Sequence, residues 1–422
     1  MKIGLFRATV RLVSCLCLVG VGTVCGSTRD AVRAPVLLIS MDGFRWDYVQ
    51  RHPEAAPHMR ELMRTGVSAE ALIPVYPTNT FPNHYSIVTG LYPSHHGIVN
   101  NRMFDPELGM IFGYNKSASA SDGCWWRGEP IWITAVKQGH VSACSFWPGS
   151  EAEIDGHRPT FWKRFDYSIP FEKRLDELRG WLALPEEKRP AVITFYLEET
   201  NGYGHRYGPN APETVGAIQL LDTHLGRIIE AARKMGQELN VVIVSDHGMT
   251  ATAQERVLLL DDYVSLDAVQ VDFDETSVGL RPAPGHTVDE IMAALEKLPR
   301  GAKAYRASEL PAHFHVDPSE PRVPPIWIVP EEGWHVVRGS WWRQFRATLY
   351  RGQHGYDPAL PSMRGILVAH GPAFRDDGAV IPAVENVHIY NLLCAVAGLY
   401  PASNDGDDRL VRAMLRDGGD AH

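Results

Sequence analysis

Two short apolar runs end in side chains that bind metals, and this pattern constrains the chain more than any other. PVLLISM at 35–41 runs into Asp42, and VVIVS at 241–245 runs into Asp246 and His247. Uninterrupted apolar runs of this length read as strands buried on both faces. AVITFYL at 191–197 and GILVAHG at 365–371 have the same character. Between them lie segments with helical spacing. One starts at Pro53 and Glu54, carries Met59, Leu62 and Met63, and stops near Gly66. A longer one, from Pro212 to Lys234, places Val215, Ile218, Leu221, Leu225 and Ile228 on one face. Buried strands alternating with amphipathic helices predict an α/β fold with a largely parallel sheet between helices. In such folds the residues just past the strand C-termini build the site. Asp42 and the Asp246–His247 pair therefore belong together, although two hundred residues separate them.

With 422 residues, 45% of them hydrophobic, the chain can bury a large core. We expect one catalytic domain over 35–400. Residues 255–350 form an elaboration beside it, with a helix in GHTVDEIMAALEKL at 285–298 and a strand in VPPIWIVP at 323–330. The polar tail 414–422 is expected to fray. Lys2, Arg7 and Arg11 precede the apolar stretch Leu12–Val24, which reads as a signal peptide over residues 1–26. The mature protein would then be periplasmic or secreted, without a transmembrane domain. A lipid anchor on Cys25 is the alternative, although a preceding valine suits it poorly. Cys15, Cys17 and Cys25 lie in or beside this leader. Of the rest, Cys124 and Cys144 are candidates for pairing in an oxidising compartment, and Cys394 reads as a buried thiol. The formal net charge of −9 argues against a nucleic-acid platform. It leaves room for a small phosphorylated substrate, because bound metal ions reverse the local field. Nothing in the sequence fixes an oligomeric state.

The residues with metal-ligating chemistry are Asp42, His205, Asp246, His247 and His354. Imidazole and carboxylate together suit zinc. Each alone has a plain reading as well: Asp42 as a helix cap, His205 and His354 as loop histidines. The SDHGM segment is less ordinary, because its glycine permits a sharp turn just after the two ligands. Thr80 lies between prolines in PTNTFPNHYS. A threonine held in a rigid loop beside a metal is a nucleophile; without one it is a turn hydroxyl.

Longer segments extend this reading. SMDGFRWDY, YPTNTFPNHYSIVTGLYPSHHGIVNNRMFDP, GEPIW, FWPGSE, YLEETNGYGHRYGP, VIVSDHGM and GQHGYDP are spread over residues 35–400. Together they resemble the nucleotide pyrophosphatase/phosphodiesterase family of the alkaline phosphatase superfamily. The resemblance implies an alkaline-phosphatase-like core and two zinc ions flanking a Thr or Ser nucleophile. It puts one ion on Asp42, Asp246, His247 and the Thr80 oxygen, and the other on His205, His354 and the residue at 201. It makes Asn101 a hydrogen-bond donor to a phosphate oxygen. Phe81, Tyr196 and, on a looser motif, Phe165 would line a nucleoside pocket. The implied reaction opens a nucleotide diester or pyrophosphate through a covalent threonine intermediate and releases a nucleoside monophosphate. The ligand order is shared with phosphomonoesterases and choline-headgroup phosphodiesterases of the same superfamily, which stand as alternatives. One departure matters. The family has Pro-Asp where this chain has Thr200 and Asn201. A neutral amide oxygen replaces a carboxylate, which weakens the second metal position and allows an impaired variant.

Overall fold

The computed structural model describes Met1 and residues 34–274, 276–346 and 350–416. The expected leader over 1–26 lies outside the described residues apart from Met1, as do positions 417–422 of the tail. Among the described residues no helix is long and apolar enough to cross a membrane.

Seven strands form the central sheet, in the order Ala379–Ile381, Val67–Ala69, Leu367–His370, Asn240–Val244, Val36–Met41, Val192–Leu197 and Ser142–Ser145. The apolar runs form the middle of this sheet. Val36–Met41 and Val192–Leu197 are buried at every residue, as expected for strands covered on both faces. Val36–Met41 pairs in parallel with Val192–Leu197 on one side and Asn240–Val244 on the other. Leu367–His370 runs antiparallel to both of its neighbours. An apolar run alone does not encode strand direction, so this reversal is a structural finding.

Alternation along Val36–Met41 divides the core into two layers. Leu37, Ile39 and Met41 pack with Ile218, Leu221, Leu225 and Ile228 of the helix Pro212–Lys234. Val36 and Leu38 share the other layer with Ile87 and Val88 of the helix Thr80–Thr89 and with Leu392 and Leu393 of the helix Ile389–Ala397. Each such side chain contributes roughly 1.5–3 kcal/mol by burial. The segment after Asp42 becomes a short 3-10 turn, Pro53–Ala55, followed by the helix Pro57–Thr65. Beside the main body, Val269–Asp274, Val278–Pro282, Ile326–Pro330 and Ala302–Arg306 make a four-stranded antiparallel sheet. It has its own apolar cluster, to which Ile291 and Leu295 of the helix Val288–Leu295 belong.

Two findings extend the reading of the sequence. The tail is ordered at its start: the helix Arg409–Met414 carries Leu410 and Met414 into the core, and Leu415 bridges Phe374. The ordered body thus passes residue 400. Cys124 and Cys144 are not paired; Cys124 is exposed, whereas Cys144 is buried inside the strand Ser142–Ser145. Cys144 is fully buried although its strand lies at the edge of the sheet, so its thiol does not meet one on the surface. Cys394 is buried and free.

Candidate active site

Register brings the ligands together. Met41 lies opposite Leu197, and Ser40 opposite Val244, so three strands deliver Asp42, the 198–201 turn and Asp246–His247 to one edge. The Asp42 N–H donates to Leu197 O at 2.8 Å, and the Gly43 N–H donates to Asp246 Oδ1 at 3.1 Å. Gly43 has φ +68°, and a Cβ there would lie 3.0 Å from Asn201 Cα. Glycine is required by both the turn and the close approach.

Asp42, Asp246 and His247 are all buried, and each offers a ligand atom within 4.8 Å of the others. His247 Nδ1 lies 2.8 Å from Gly248 O, which assigns the proton to Nδ1 and turns Nε2 inward. Nε2 is 2.9 Å from Asp246 Oδ2 and 3.5 Å from Asp42 Oδ1. Neither carboxylate oxygen has a hydrogen-bond partner. Converging buried acceptors of this kind fit a cation. Their electrostatics agree. Burial and the adjacent Asp246 push the Asp42 carboxyl well above its ordinary range. Burial resists ionisation of Asp246 too, yet His247 and His84 hold its carboxyl low; in turn, burial opposes charge on His247, but Asp246 and Asp42 raise its imidazole above the ordinary value, so this corner attracts positive charge.

A second group adjoins the first. The rings of His247 and His354 stack with centroids 3.6 Å apart. His354 Nδ1 lies 2.9 Å from Thr78 O, and His205 Nδ1 lies 2.9 Å from Gly352 O. The two Nε2 atoms then face each other at 3.2 Å. Burial lowers both imidazoles, His205 to about 4 and His354 well below its ordinary value, so two lone pairs point at one another. Asn201 lines the same cavity, and its buried Oδ1 has no partner. These donors also fit a cation.

Thr80 opens the helix Thr80–Thr89, directly after the extended residue Asn79. The helix N-terminus favours negative charge beside it. Thr80 Oγ1 is 3.4 Å from His247 Nε2. Asn101 Oδ1 accepts the Phe81 N–H at 2.9 Å, which leaves the Asn101 NH2 as a donor. Asn101 and Thr80 line one cavity of about 730 Å³ together with Asp42, Phe81, Phe165 and Tyr196. Phe81 packs against Phe112 and Trp126, and Phe165 is 38% exposed with its ring 5.2 Å from that of Phe146.

Tyr196 has a further contact. Its hydroxyl donates to Asp42 Oδ2 at 2.6 Å, so it braces a ligand as well as forming wall. Sequence reasoning missed His84, which is fully buried, with Nε2 2.8 Å from Ser40 Oγ and Nδ1 2.8 Å from Thr80 O. The signal was its spacing of four from Thr80 on one helix face. It also missed Tyr114, Tyr167 and Tyr350 of the cavity wall. They lie in irregular segments where no periodicity flags them.

Comparison with known proteins identifies the family and the fold. Residues 36–357 match the family described as type I phosphodiesterase / nucleotide pyrophosphatase. Venom phosphodiesterase CdcPDE of Crotalus durissus collilineatus is 36% identical over 393 residues, which are 91% of this chain and 47% of the relative. Ectonucleotide pyrophosphatase/phosphodiesterase family member 3 of Bos taurus is 36% identical over 393 residues, 90% of this chain and 44% of the relative. The chain thus spans about half the length of the curated relatives it matches. Among solved structures, an inactive variant of murine ectonucleotide pyrophosphatase/phosphodiesterase 5 in complex with AMP superposes with a TM-score of 0.84. It is 33% identical, and the match covers 90% of this chain and all of that one. The chain belongs to the type I phosphodiesterase / nucleotide pyrophosphatase family and has its alkaline-phosphatase-like fold.

Proposed function

We propose that this family member hydrolyses nucleotide phosphodiester or pyrophosphate bonds, with Thr80 as the nucleophile. The observation that carries the reading is the position of Thr80. Its hydroxyl stands at a helix N-terminus, 3.4 Å from His247 Nε2, in the wall of a cavity that also holds aromatic faces. Asp42, Asp246 and His247 would hold one zinc ion, and Asn201, His205 and His354 the other. Bound there, the two ions would lower the pKa of the nucleophile and offset phosphoryl charge.

The protein's own groups account for the rest. The nucleoside of the substrate stacks against Phe81 and Phe165, with Tyr196 behind them. One equatorial phosphoryl oxygen accepts from the Asn101 NH2, whose orientation is fixed by the Phe81 N–H. Thr80 Oγ1 attacks phosphorus in line, and the bond to the leaving alcohol or phosphate breaks as the Thr80 O–P bond forms. The Thr80 proton is lost and the leaving oxygen gains one from solvent; water then attacks the same phosphorus, the Thr80 O–P bond breaks with a proton returning to Thr80 Oγ1, and a nucleoside monophosphate is released. Tyr196 and Thr200 keep Asp42 in place throughout, through its Oδ2 and its backbone carbonyl. Export to the periplasm or the exterior, followed by action on a small nucleotide, fits the leader sequence and the acidic net charge.

The test is the relative hydrolysis of a nitrophenyl nucleotide diester and nitrophenyl phosphate. We expect the diester to be preferred. Preference for the monoester would overturn the reading in favour of a phosphomonoesterase, and preference for a phosphocholine ester in favour of a headgroup enzyme.

A further inference from the structure

The two groups of ligands differ in charge. Asp42 and Asp246 bring two carboxylates to the first. Asn201, His205 and His354 are three neutral donors: an amide oxygen without a partner and two imidazoles whose Nδ1 protons go to backbone carbonyls. Affinity for a divalent cation follows the charge of its ligands.

Among the described residues, Asp42, Glu151 and Asp274 are the acids of the cavity wall, and none beside Asn201 makes up the difference. Glu198 Oε2 faces Arg174 Nη1 at 3.7 Å and Glu199 Oε1 faces His224 Nδ1 at 3.6 Å; the Oε2 of each is buried without a hydrogen-bond partner, yet neither residue lines the cavity. Thr200 directs its hydroxyl away, to Asp42 O at 2.5 Å. Asn201 sits in the first turn of the helix Glu199–Tyr207, and its backbone packs so closely on Gly43 that a Cβ on that glycine would lie 3.0 Å from the Asn201 Cα. The other acids of the cavity wall are engaged: Glu151 accepts from Ser121 at 2.9 Å, and Asp274 from Arg338 at 2.5 Å.

We infer that the position on Asn201, His205 and His354 is completed by substrate: the chain alone holds one metal ion firmly, and a second is retained only while an anionic phosphoryl group occupies the cavity. This inference rests on the phosphodiesterase reading of that cavity. A dication among neutral donors keeps its full charge in a buried setting, where attraction to a phosphoryl oxygen is strong. The phosphate of the substrate supplies the charge that residue 201 lacks. Linkage makes the effect reciprocal, so whatever phosphate adds to metal affinity, metal adds to phosphate affinity. The neutral residue thereby turns a resident ion into one that binds together with the substrate.

The experiment uses the full chain, zinc alone and AMP. The protein is equilibrated in zinc-buffered solution with and without AMP, separated from free metal, and its zinc is counted by elemental analysis. Calorimetry measures AMP affinity at low and at high free zinc. We expect about one zinc per chain without AMP and about two with it. AMP should bind at least about tenfold more tightly at high zinc, the lower end of the effects seen when even an indirect partner of a metal ligand is lost. Asn201→Asp should hold about two zincs without AMP. Two zincs in the wild type regardless of AMP, or none, would overturn the inference. So would an Asn201→Asp protein whose second zinc still needs AMP. The wild-type arms stand if that variant does not fold. Metal behaviour as expected with no diester turnover would remove the functional reading while leaving this inference in place.

Discussion

Replacing Asn101 by aspartate probes the site at a single atom. The side chain keeps its size, and Oδ1 can still accept the Phe81 N–H, now at 2.9 Å, so the entry to the Thr80 helix is preserved. The backbone contacts also remain: Asn101 N–H to Asn100 Oδ1 at 2.7 Å, and Tyr114 N–H to Asn101 O at 3.0 Å. What is lost is the NH2 proposed to donate to the phosphoryl group. Removing one donor aimed at charge developing in the transition state costs about 10²–10³ in kcat, roughly 2.7–4 kcal/mol. The new carboxylate adds repulsion. Two unit negative charges about 4 Å apart at an effective dielectric of about 20 repel by about 4 kcal/mol. We therefore expect Asn101→Asp to lose at least about 10² in kcat, and more than Asn101→Ala, which removes the donor without adding charge. The fall should be mainly in kcat, because the contact strengthens as charge builds. Steady-state kinetics on a nitrophenyl nucleotide diester, with thermal unfolding to verify folding, provide the measurement. A folded Asn101→Asp protein within about tenfold of wild-type kcat would refute the role given to this amide.

Other consequences can be checked separately. Thr80→Ala should abolish diester turnover while AMP still binds by calorimetry, because the hydroxyl serves attack and the walls serve binding; retained turnover would place the nucleophile elsewhere. Arg322 is 2% exposed and donates to Asp105 Oδ2 at 2.7 Å, Trp125 O at 2.6 Å, and Gly97 O and Cys124 O at 3.0 Å. Arg322→Met should cost roughly 3–5 kcal/mol in denaturant unfolding by leaving a buried carboxylate unpaired. Burial opposes ionisation of Asp105, but the Leu108 N–H and Arg322 outweigh it and hold its carboxyl below the ordinary value. Its stabilisation is complete above the ordinary carboxylate pKa and fades as pH falls through the lowered folded value, so the gap between wild type and Arg322→Met should narrow in acid; a gap independent of pH would contradict the pairing. Cys124 should be labelled by a thiol reagent in the folded protein. Cys144 and Cys394, each pushed up to about 12 by burial, should react only on unfolding, and an intact mass showing a linked pair would refute the free thiols.

Much of this was readable from the chain, and the parts that were not have physical reasons. Val36–Met41 and Pro212–Lys234 emerge within a residue of the boundaries expected from their apolar patterns, because burial on both faces or along one stripe leaves an unambiguous period. Asp42 and Asp246–His247 were grouped correctly by the strand-end rule, which depends on topology and not on sequence distance. The antiparallel course of Leu367–His370 was hidden, since its side chains would be equally apolar in either direction. Tyr196 was read as wall only; that its hydroxyl reaches Asp42 follows from the register of neighbouring strands, which no local pattern states. The sequence left a Cys124–Cys144 pairing open because a count of thiols carries no depth; one of the two is exposed and the other is buried in the edge strand Ser142–Ser145.

Thr78 joins the two ligand groups. Its carbonyl receives His354 Nδ1, its hydroxyl donates to Tyr356 O at 3.0 Å and accepts the Gly355 N–H at 2.8 Å, and two residues later comes Thr80. Gly355, at φ +96°, lets that loop press against Asn79, where a Cβ would come within 2.8 Å of Oδ1. The proposed nucleophile Thr80 and the candidate ligand His354 are thus held by one clamped segment. The exposed aromatics Tyr114, Tyr167 and Tyr350 stand at the cavity's margin instead. A protein built this way can change what it accepts by altering its rim while its chemistry stays in register, so selection for a new substrate should first yield substitutions at those tyrosines and leave the Thr78 clamp alone.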